Sequence, residues 1–314
     1  MPKILKRTLS VLISLALLLW LLSGNHIDNF LQALAHFTPT MILTATLGFT
    51  ASYLLRGLRV YDEFRTDIGG RFGTCLRIVL MHNAMVNIIP FRGGEAAFPL
   101  LLQRHFGTPL PRAVGSLLWF RLQDAIVVGL AAILFWPGLS PLIRLAGIAA
   151  LIFALWLLKR WALTPPDTQK HNRHLLTLRN ALGTSITHAR RGWIWTFANW
   201  SVKLLTQAWL LAALLNTRLA IGLSGALGAE LAAILPVQGV AGFGTYEAGA
   251  AAALLPSGID LAAGLQAALA LHLFVIGCAV SAGMLAALWP GTRPASPSSP
   301  SDPHSSSCKH TSHS

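Results

Sequence analysis

Apolar residues form long stretches with almost no charge along this chain, and short polar segments separate them. A helix needs about 20 consecutive apolar residues to cross a membrane, and most of these stretches approach that length. We predict six spanning helices, over about 8–22, 39–55, 113–135, 141–158, 193–215 and 261–289. The pattern therefore predicts an all-α polytopic membrane protein.

Two further apolar stretches are interrupted where a spanning helix would continue. They are Asn83–Glu95 and Glu230–Glu247, and each combines an apolar run, a proline, a glycine-rich break and a glutamate. Irregular backbone at membrane depth is tolerated only where it is buried in protein or lines a wet cavity. Two broken segments, one in each half of a chain, are typical of a transporter site.

The charges that follow the first break indicate its topology. The run 75–90 is short for a full span, and a crossing there would place Arg104 and Arg112 outside, against the positive-inside rule. We therefore predict a re-entrant hairpin over about 75–103. A second hairpin, over about 222–255, is predicted to enter from the opposite side, which makes an inverted repeat the expected architecture.

The composition supports a membrane protein. The chain is 54% hydrophobic and only 11% charged, whereas soluble domains carry about 25% charged residues. Its net charge of +13 comes from basic residues in short loops, such as Arg56 and Arg59, so nucleic-acid binding is not predicted. Lys3, Lys6 and Arg7 precede a retained first helix. We predict a bacterial inner-membrane protein with both termini cytoplasmic.

The domain organisation follows from these spans. A transmembrane domain is predicted over 1–290, with halves of about 1–158 and 193–290. A basic cytoplasmic loop, 159–192, joins the halves. The tail 291–314 is rich in Pro, Ser and His, and it has too little apolar content to fold, so it is predicted to be disordered.

Charged side chains at membrane depth cost about 3 kcal/mol each on insertion scales, so each needs a partner, a wet cavity or a functional reason. Arg92 can bind a phosphate through two nitrogens, and Glu95 can orient that arginine or accept a proton. The alternative is a local pair that only neutralises the hairpin tip. Arg121 and Asp124 share one helical face, either in a substrate cavity or as an internal ion pair.

The second break is bracketed by Glu230 and Glu247. A buried carboxylate holds its proton more readily, which makes Glu247 a candidate for proton coupling; a structural, hydrogen-bonded glutamate is the alternative. Asn83 and Asn87 share a face of the first broken helix, where they serve either helix packing or a ligand. Lys203 is a further candidate for the lining of a cavity.

Catalytic motifs are absent from the sequence. It contains no zinc-protease, serine-hydrolase or phosphate-loop signature and no closely spaced cysteine pair. His272 is interpreted as a packed helix residue. We therefore predict that the protein is not an enzyme and binds neither a cofactor nor a metal ion.

Three motifs in order resemble the membrane region of lysylphosphatidylglycerol synthases and the flippase-like proteins that share it. They are Asn87-Ile-Ile-Pro90-Phe-Arg92-Gly-Gly-Glu95, Arg121-Leu-Gln-Asp124, and Leu235-Pro236 leading to Gly242-Phe-Gly244-Thr-Tyr-Glu247. In that family the membrane region is joined to a cytosolic aminoacyl-transferase domain and is implicated in moving the modified lipid between leaflets. Only a short tail follows Trp289, so the resemblance implies a stand-alone form without aminoacyl transfer. Ala96 stands near where relatives often carry another basic residue.

The leading hypothesis is a flippase-like transporter of an anionic-headgroup lipid or lipid-linked precursor. The predicted substrate-binding residues are Asn87, Arg92, Glu95, Arg121, Asp124, Glu230 and Glu247. Two alternatives stay open: a non-transporting scaffold for a lipid-modifying enzyme, and an intramembrane enzyme acting on lipid headgroups. The expected partners are a membrane lipid and either a second copy of the chain or a lipid-modifying enzyme.

Overall fold

The computed structural model describes residues 3–24, 26–164, 173–188, 191–235 and 238–289. Within these residues the chain is helical and contains no strand. The prediction of an all-α polytopic fold is confirmed. The tail 291–314 and part of the loop 159–192 lie outside the described residues, so the predictions made for them stay predictions.

Among the described residues, the first part of the chain, through the connecting loop, forms nine α-helices. They are α1 (Lys3–Leu22), α2 (His26–Ala35), α3 (Pro39–Glu63), α4 (Arg65–Ile68), α5 (Phe72–Ile88), α6 (Ala97–Phe106), α7 (Leu110–Phe135), α8 (Pro141–Leu163) and α9 (Arg173–His188). A 3-10 helix, Pro90–Ala96, separates α5 from α6. The first predicted break is therefore a short, tighter helix rather than an open loop.

Four α-helices form the second part. They are α10 (Gly192–Leu214), α11 (Leu219–Ile234), α12 (Thr245–Leu254) and α13 (Leu261–Leu288). A 3-10 turn, Val240–Gly242, lies in the break between α11 and α12, and another, Leu255–Ser257, ends α12. Both interruptions of the apolar pattern are thus real breaks between helices.

Side-chain caps fix where three of the long helices begin. The Thr38 hydroxyl accepts the backbone N–H of the third residue of α3, and Ser140 does the same for α8. Each is followed by a proline, whose missing N–H is harmless in the first turn. The Asp260 carboxylate accepts two backbone N–H groups at the start of α13. Polar residues therefore stop the chain from continuing as one long apolar helix.

α3 extends well past its predicted end near residue 55. The prediction that Arg56 and Arg59 follow the end of this helix in a loop was wrong, because both belong to the helix, which continues to Glu63; their position on the inner side of the membrane stays a prediction. Ser52, Arg56, Arg59 and Glu63 recur every three or four residues, and Arg59 and Glu63 are buried. Charged residues therefore continue the inward face of the helix instead of ending it.

The helices are long enough for a multi-pass membrane protein. Four of them, α3, α7, α8 and α13, have the length and apolar composition to cross a membrane, and the number rises to six if each of two bent helix pairs is one span. The bent pairs are α1 with α2, at 87°, and α10 with α11, at 118°. The number of predicted spans equals the upper figure, but that figure joins α11 to α10 in one span, whereas the prediction placed α11 in the second hairpin. The depth of the two breaks in a membrane remains a prediction.

The two halves of the domain exchange contacts in a reciprocal way. α3 packs against α10, α5 packs against α13, and α11 packs against α7, while α6 and α12 each pack against the long helix that follows them, α7 and α13. The 3-10 segments of the two breaks, Pro90–Ala96 and Val240–Gly242, contact each other. A pair of repeats related by a two-fold axis would produce this pattern, with both breaks at the centre.

Backbone contact between α11 and α12 closes the second hairpin. A Cβ added at Gly228 would collide with the carbonyl oxygen of Gly249, and one added at Gly249 would collide with that of Gly228. Only glycine at both positions lets the helices approach this closely, as in other tightly packed membrane helices. The hairpin is therefore a rigid unit, and the second break lies between its two helices.

Candidate functional site

A polar cavity of about 500 Å³ lies where the two breaks meet. This volume is within the usual range of small-molecule sites, about 300–1,000 Å³. Its polar lining comprises Ser10, Ser52, Tyr53, Arg56, His82, Asn83, Asn87, Glu95, Arg121, Asp124, Lys203, Glu230, Gln238, Thr245, Tyr246 and His272. Five of the seven predicted site residues thus line one space: Asn87, Glu95, Arg121, Asp124 and Glu230.

Glu95, at the first break, binds Arg121 of α7 through two contacts. Arg121 Nη2 lies 2.9 Å from Glu95 Oε1, and Arg121 Nε donates to Oε2 at 3.2 Å. The Arg121 side chain is 39% exposed and the Glu95 side chain is 24% exposed, so water reaches the pair. The partners differ from the local pairs considered from the sequence, in which Glu95 faced Arg92 and Arg121 faced Asp124. This pair ties the break to a long helix.

Asp124 is instead neutralised from α3. Arg59 Nη1 lies 2.6 Å from its carboxylate, and the indole N–H of Trp200 donates to the same oxygen at 2.9 Å. Arg59 Nη2 also donates to the Phe120 carbonyl and the Gln123 side chain. An ion pair this buried is stable only when further hydrogen bonds satisfy it. Its geometry holds α3, α7 and α10 together.

Glu230 forms the third ion pair of the lining, with Lys203 of α10. The Lys203 ammonium lies 2.7 Å from Glu230 Oε1 and 4.5 Å from the centre of the Trp200 ring. The Gln207 amide donates to Glu230 at 2.7 Å and to the Tyr246 hydroxyl at 3.0 Å. A hydrogen-bonded chain of side chains thus joins α10, α11 and α12 behind the cavity.

Arg56 is the cation of the described lining that has no carboxylate partner. Its guanidinium donates to the side-chain oxygen of Asn83 at 3.0 Å, and no ion pair within 4.0 Å involves it among the described residues. The other two lining cations, Arg121 and Lys203, each have a glutamate partner. The described lining carries as many carboxylates as lysines and arginines, but Asp124 is paired with Arg59 from outside the lining, so Arg56 is left without a carboxylate within 4.0 Å.

Glu247 lies behind the cavity wall and not in the lining. Its side chain is fully buried; Oε2 accepts the Gly244 N–H at 2.7 Å, and Oε1 lies 2.7 Å from His272 Nδ1. Gly244 has φ of +89°, a conformation that glycine adopts at no steric cost. Glu247 thus caps α12, and His272 is the member of this pair that faces the cavity.

Two of the predicted site residues need separate comment. The Asn87 amide donates to the Asn83 carbonyl of its own helix at 2.8 Å and also lines the cavity. The side chain of Arg92 lies outside the described residues, so its predicted role stays a prediction.

Sequence reasoning missed Arg56 and Arg59 as interior residues. The usable signal was the spacing of Ser52, Arg56, Arg59 and Glu63, which continues the helical period beyond the apolar run. The positive-inside rule led away from this spacing, because it assigns a basic run after a span to a cytoplasmic loop. His272 was likewise interpreted only as a packing residue, although it lines the cavity.

The fold and the cavity define a multi-pass helical membrane protein with an internal polar site. The family model described as the lysylphosphatidylglycerol synthase TM region matches residues 7–283. The chain therefore belongs to this family, and the resemblance carried by the three sequence motifs is confirmed. No curated protein matches the chain.

Proposed function

We propose that this protein moves a lipid with an anionic headgroup, either a phospholipid or a lipid-linked precursor, between the two leaflets of a membrane, without changing it chemically. The observation that carries the proposal is Arg56, a cation without a carboxylate partner in a cavity where Arg121, Lys203 and Asp124 are paired. A headgroup phosphate supplies the anionic partner that Arg56 lacks among the described residues.

The chemistry of Arg56 suits a phosphate. A guanidinium presents N–H groups in a fixed fork that matches two phosphate oxygens. Among the described residues its hydrogen-bond partner is a neutral amide oxygen, that of Asn83. Exchanging this contact for a charged oxygen roughly doubles the strength of the hydrogen bond. Headgroup binding therefore needs no existing ion pair to be broken at Arg56.

The outer surface suits the acyl chains of the same lipid. Large apolar side chains are exposed along α8 and at the end of α13, among them Leu142, Leu145, Ile152, Leu285 and Leu288. None of the most apolar window of α8 is buried in the protein. Acyl chains can stay in the bilayer against such surfaces while the headgroup passes through the polar interior.

The Arg56→Gln variant in reconstituted vesicles tests the proposal. A fluorescent phosphatidylglycerol is placed in both leaflets, and its loss of signal to an external quencher reports movement between them. The wild-type protein should move the lipid. The variant should do so about tenfold to a hundredfold more slowly, because one charge-assisted contact is worth about 1.5–3 kcal/mol.

Arg104→Gln is the matched control, since Arg104 is an exposed arginine of α6 that does not line the cavity. It should move lipid at the wild-type rate. Vesicles in which wild-type protein moves no anionic lipid would contradict the proposal and favour a scaffold. Equal rates for Arg56→Gln and the wild-type protein would show that Arg56 does not bind the headgroup.

A further inference from the structure

The carboxylate of Glu247 is held at both oxygens without any cation from lysine or arginine. One oxygen accepts a backbone N–H of Gly244, and the other meets the imidazole of His272 at 2.7 Å. Both side chains are buried, at 0% and 7% exposure. A carboxylate oxygen accepts, so the hydrogen between the two groups is carried by Nδ1, and in a neutral imidazole that is the only ring N–H. The second ring nitrogen, Nε2, then keeps its lone pair.

The cavity reaches this pair through His272, since Glu247 is not in the lining. His272 lines the cavity, and Nε2 lies beside Gly242 of the second break; a Cβ there would be 3.5 Å from it. Among the described residues Nε2 has no hydrogen-bond partner. The rings of Tyr246 and Phe243 lie 4.3 Å and 4.8 Å from the imidazole and fix its orientation. A proton from cavity water can therefore add to Nε2 without any movement of the ring.

We infer that His272 and Glu247 form a proton-binding site of the cavity, and that one proton and one anionic headgroup bind cooperatively. The inference rests on the proposed function for the identity of the headgroup. Protonation of His272 converts the buried carboxylate and its neutral partner into an ion pair without net charge. It also places a positive charge on the imidazole at the cavity wall. That charge attracts the headgroup, and by thermodynamic reciprocity the headgroup favours the protonated site.

Other titratable groups share this space. They are the three ion pairs Arg59–Asp124, Arg121–Glu95 and Lys203–Glu230, together with Arg56, His82, Tyr53 and Tyr246. Histidine is the side chain whose charge ordinarily changes between about pH 5 and pH 8. His82 is the other histidine of the lining, so it supplies the matched control.

Proton uptake on lipid addition tests the inference without any transport assay. The purified protein, in neutral detergent and weakly buffered solution near pH 7, is mixed with dihexanoyl phosphatidylglycerol, and a pH dye records the change. Wild-type protein should take up a substantial fraction of one proton per bound lipid. Its affinity should fall by up to about tenfold per pH unit above neutrality, the limit for one linked proton.

Three variants identify the residue that takes up this proton. His272→Gln should abolish the uptake, Glu247→Gln should remove most of it near neutral pH, and His82→Gln should retain it. Thermal unfolding and gel filtration establish that each variant is folded, and the wild-type measurement alone remains decisive where one is not. Absence of uptake by wild-type protein, undiminished uptake in His272→Gln, or its loss in His82→Gln would overturn the inference.

The outcomes separate this inference from the proposed function. Proton uptake by a protein that moves no lipid in vesicles would support the site and contradict the transport proposal. Lipid movement that is independent of pH, by a protein that takes up no proton, would do the opposite.

Discussion

The two breaks share a sequence signature but use their glutamates in opposite ways. Glu95 of the first break reaches across to α7, and the pair it forms with Arg121 is open to water. Glu247 of the second break is fully buried and caps its own helix while it holds His272. The first arrangement can exchange partners with a ligand at low cost, whereas the second has to stay intact for the hairpin to keep its shape.

This contrast assigns different tasks to the two halves. In the proposed function, the first break contributes a surface that a headgroup can rearrange, next to Arg56. The second break contributes a fixed wall, supported by the glycine contact between α11 and α12. A transporter built from two repeats needs both properties, because one element has to move while another positions the substrate.

The sharpest test of the contrast is removal of the two glutamates one at a time. Glu247→Ala leaves a backbone N–H and an imidazole buried without these partners, and it should destabilise the protein by about 3 kcal/mol. Glu95→Ala should cost less than about 1 kcal/mol, since the pair is water-exposed. Thermal unfolding in detergent measures both. Equal losses of stability would show that the two breaks are not different in kind.

A smaller effect is expected at the first break from a change of charge alone. Glu95→Gln leaves Arg121 without a charged partner beside Arg56, so affinity for short-chain phosphatidylglycerol should rise about threefold to tenfold with stability nearly unchanged. Isothermal titration measures it. Arg121→Lys is the companion variant: it keeps the charge but loses two-point binding, and it should not raise affinity. Weaker lipid binding by Glu95→Gln would place Glu95 in the headgroup contact itself.

Local sequence chemistry was sufficient to predict the breaks but not the partners of the charged residues. Proline and glycine interrupt a helix through their own backbone constraints, so the breaks after Ile88 and Ile234 were visible in the sequence. Helical spacing shows that two residues, such as Arg121 and Asp124, share one face of a helix. It does not show which residues that face contacts. Arg121 pairs with Glu95 because α7 packs beside the first break, which depends on the arrangement of the whole bundle.

The hydrogen bonds between the second break and α1 could not be predicted from the sequence for the same reason. Ser14 lies 226 residues before Val240, yet its hydroxyl accepts the Val240 N–H at 2.7 Å and donates to the Phe243 carbonyl at 3.1 Å. A serine in an apolar run reads as a minor interruption. Only the folded chain shows that it satisfies two backbone groups of the break, next to Ala241, a non-glycine residue with φ of +53°.

Ser14→Ala should therefore loosen the second break by the smallest of these effects. Loss of two hydrogen bonds of neutral groups should cost about 1 kcal/mol locally. Amide exchange over residues 240–244 should then become about fivefold faster, because local opening sets that rate. Hydrogen–deuterium exchange with mass spectrometry measures it. Ser23→Ala, directly after the end of α1, is the control, since the Ser23 hydroxyl donates to the Trp20 carbonyl, and it should leave exchange at the break unchanged. Unaltered exchange in Ser14→Ala would mean that the glycine-packed hairpin holds the break without α1, which would make the second break more self-sufficient than the first.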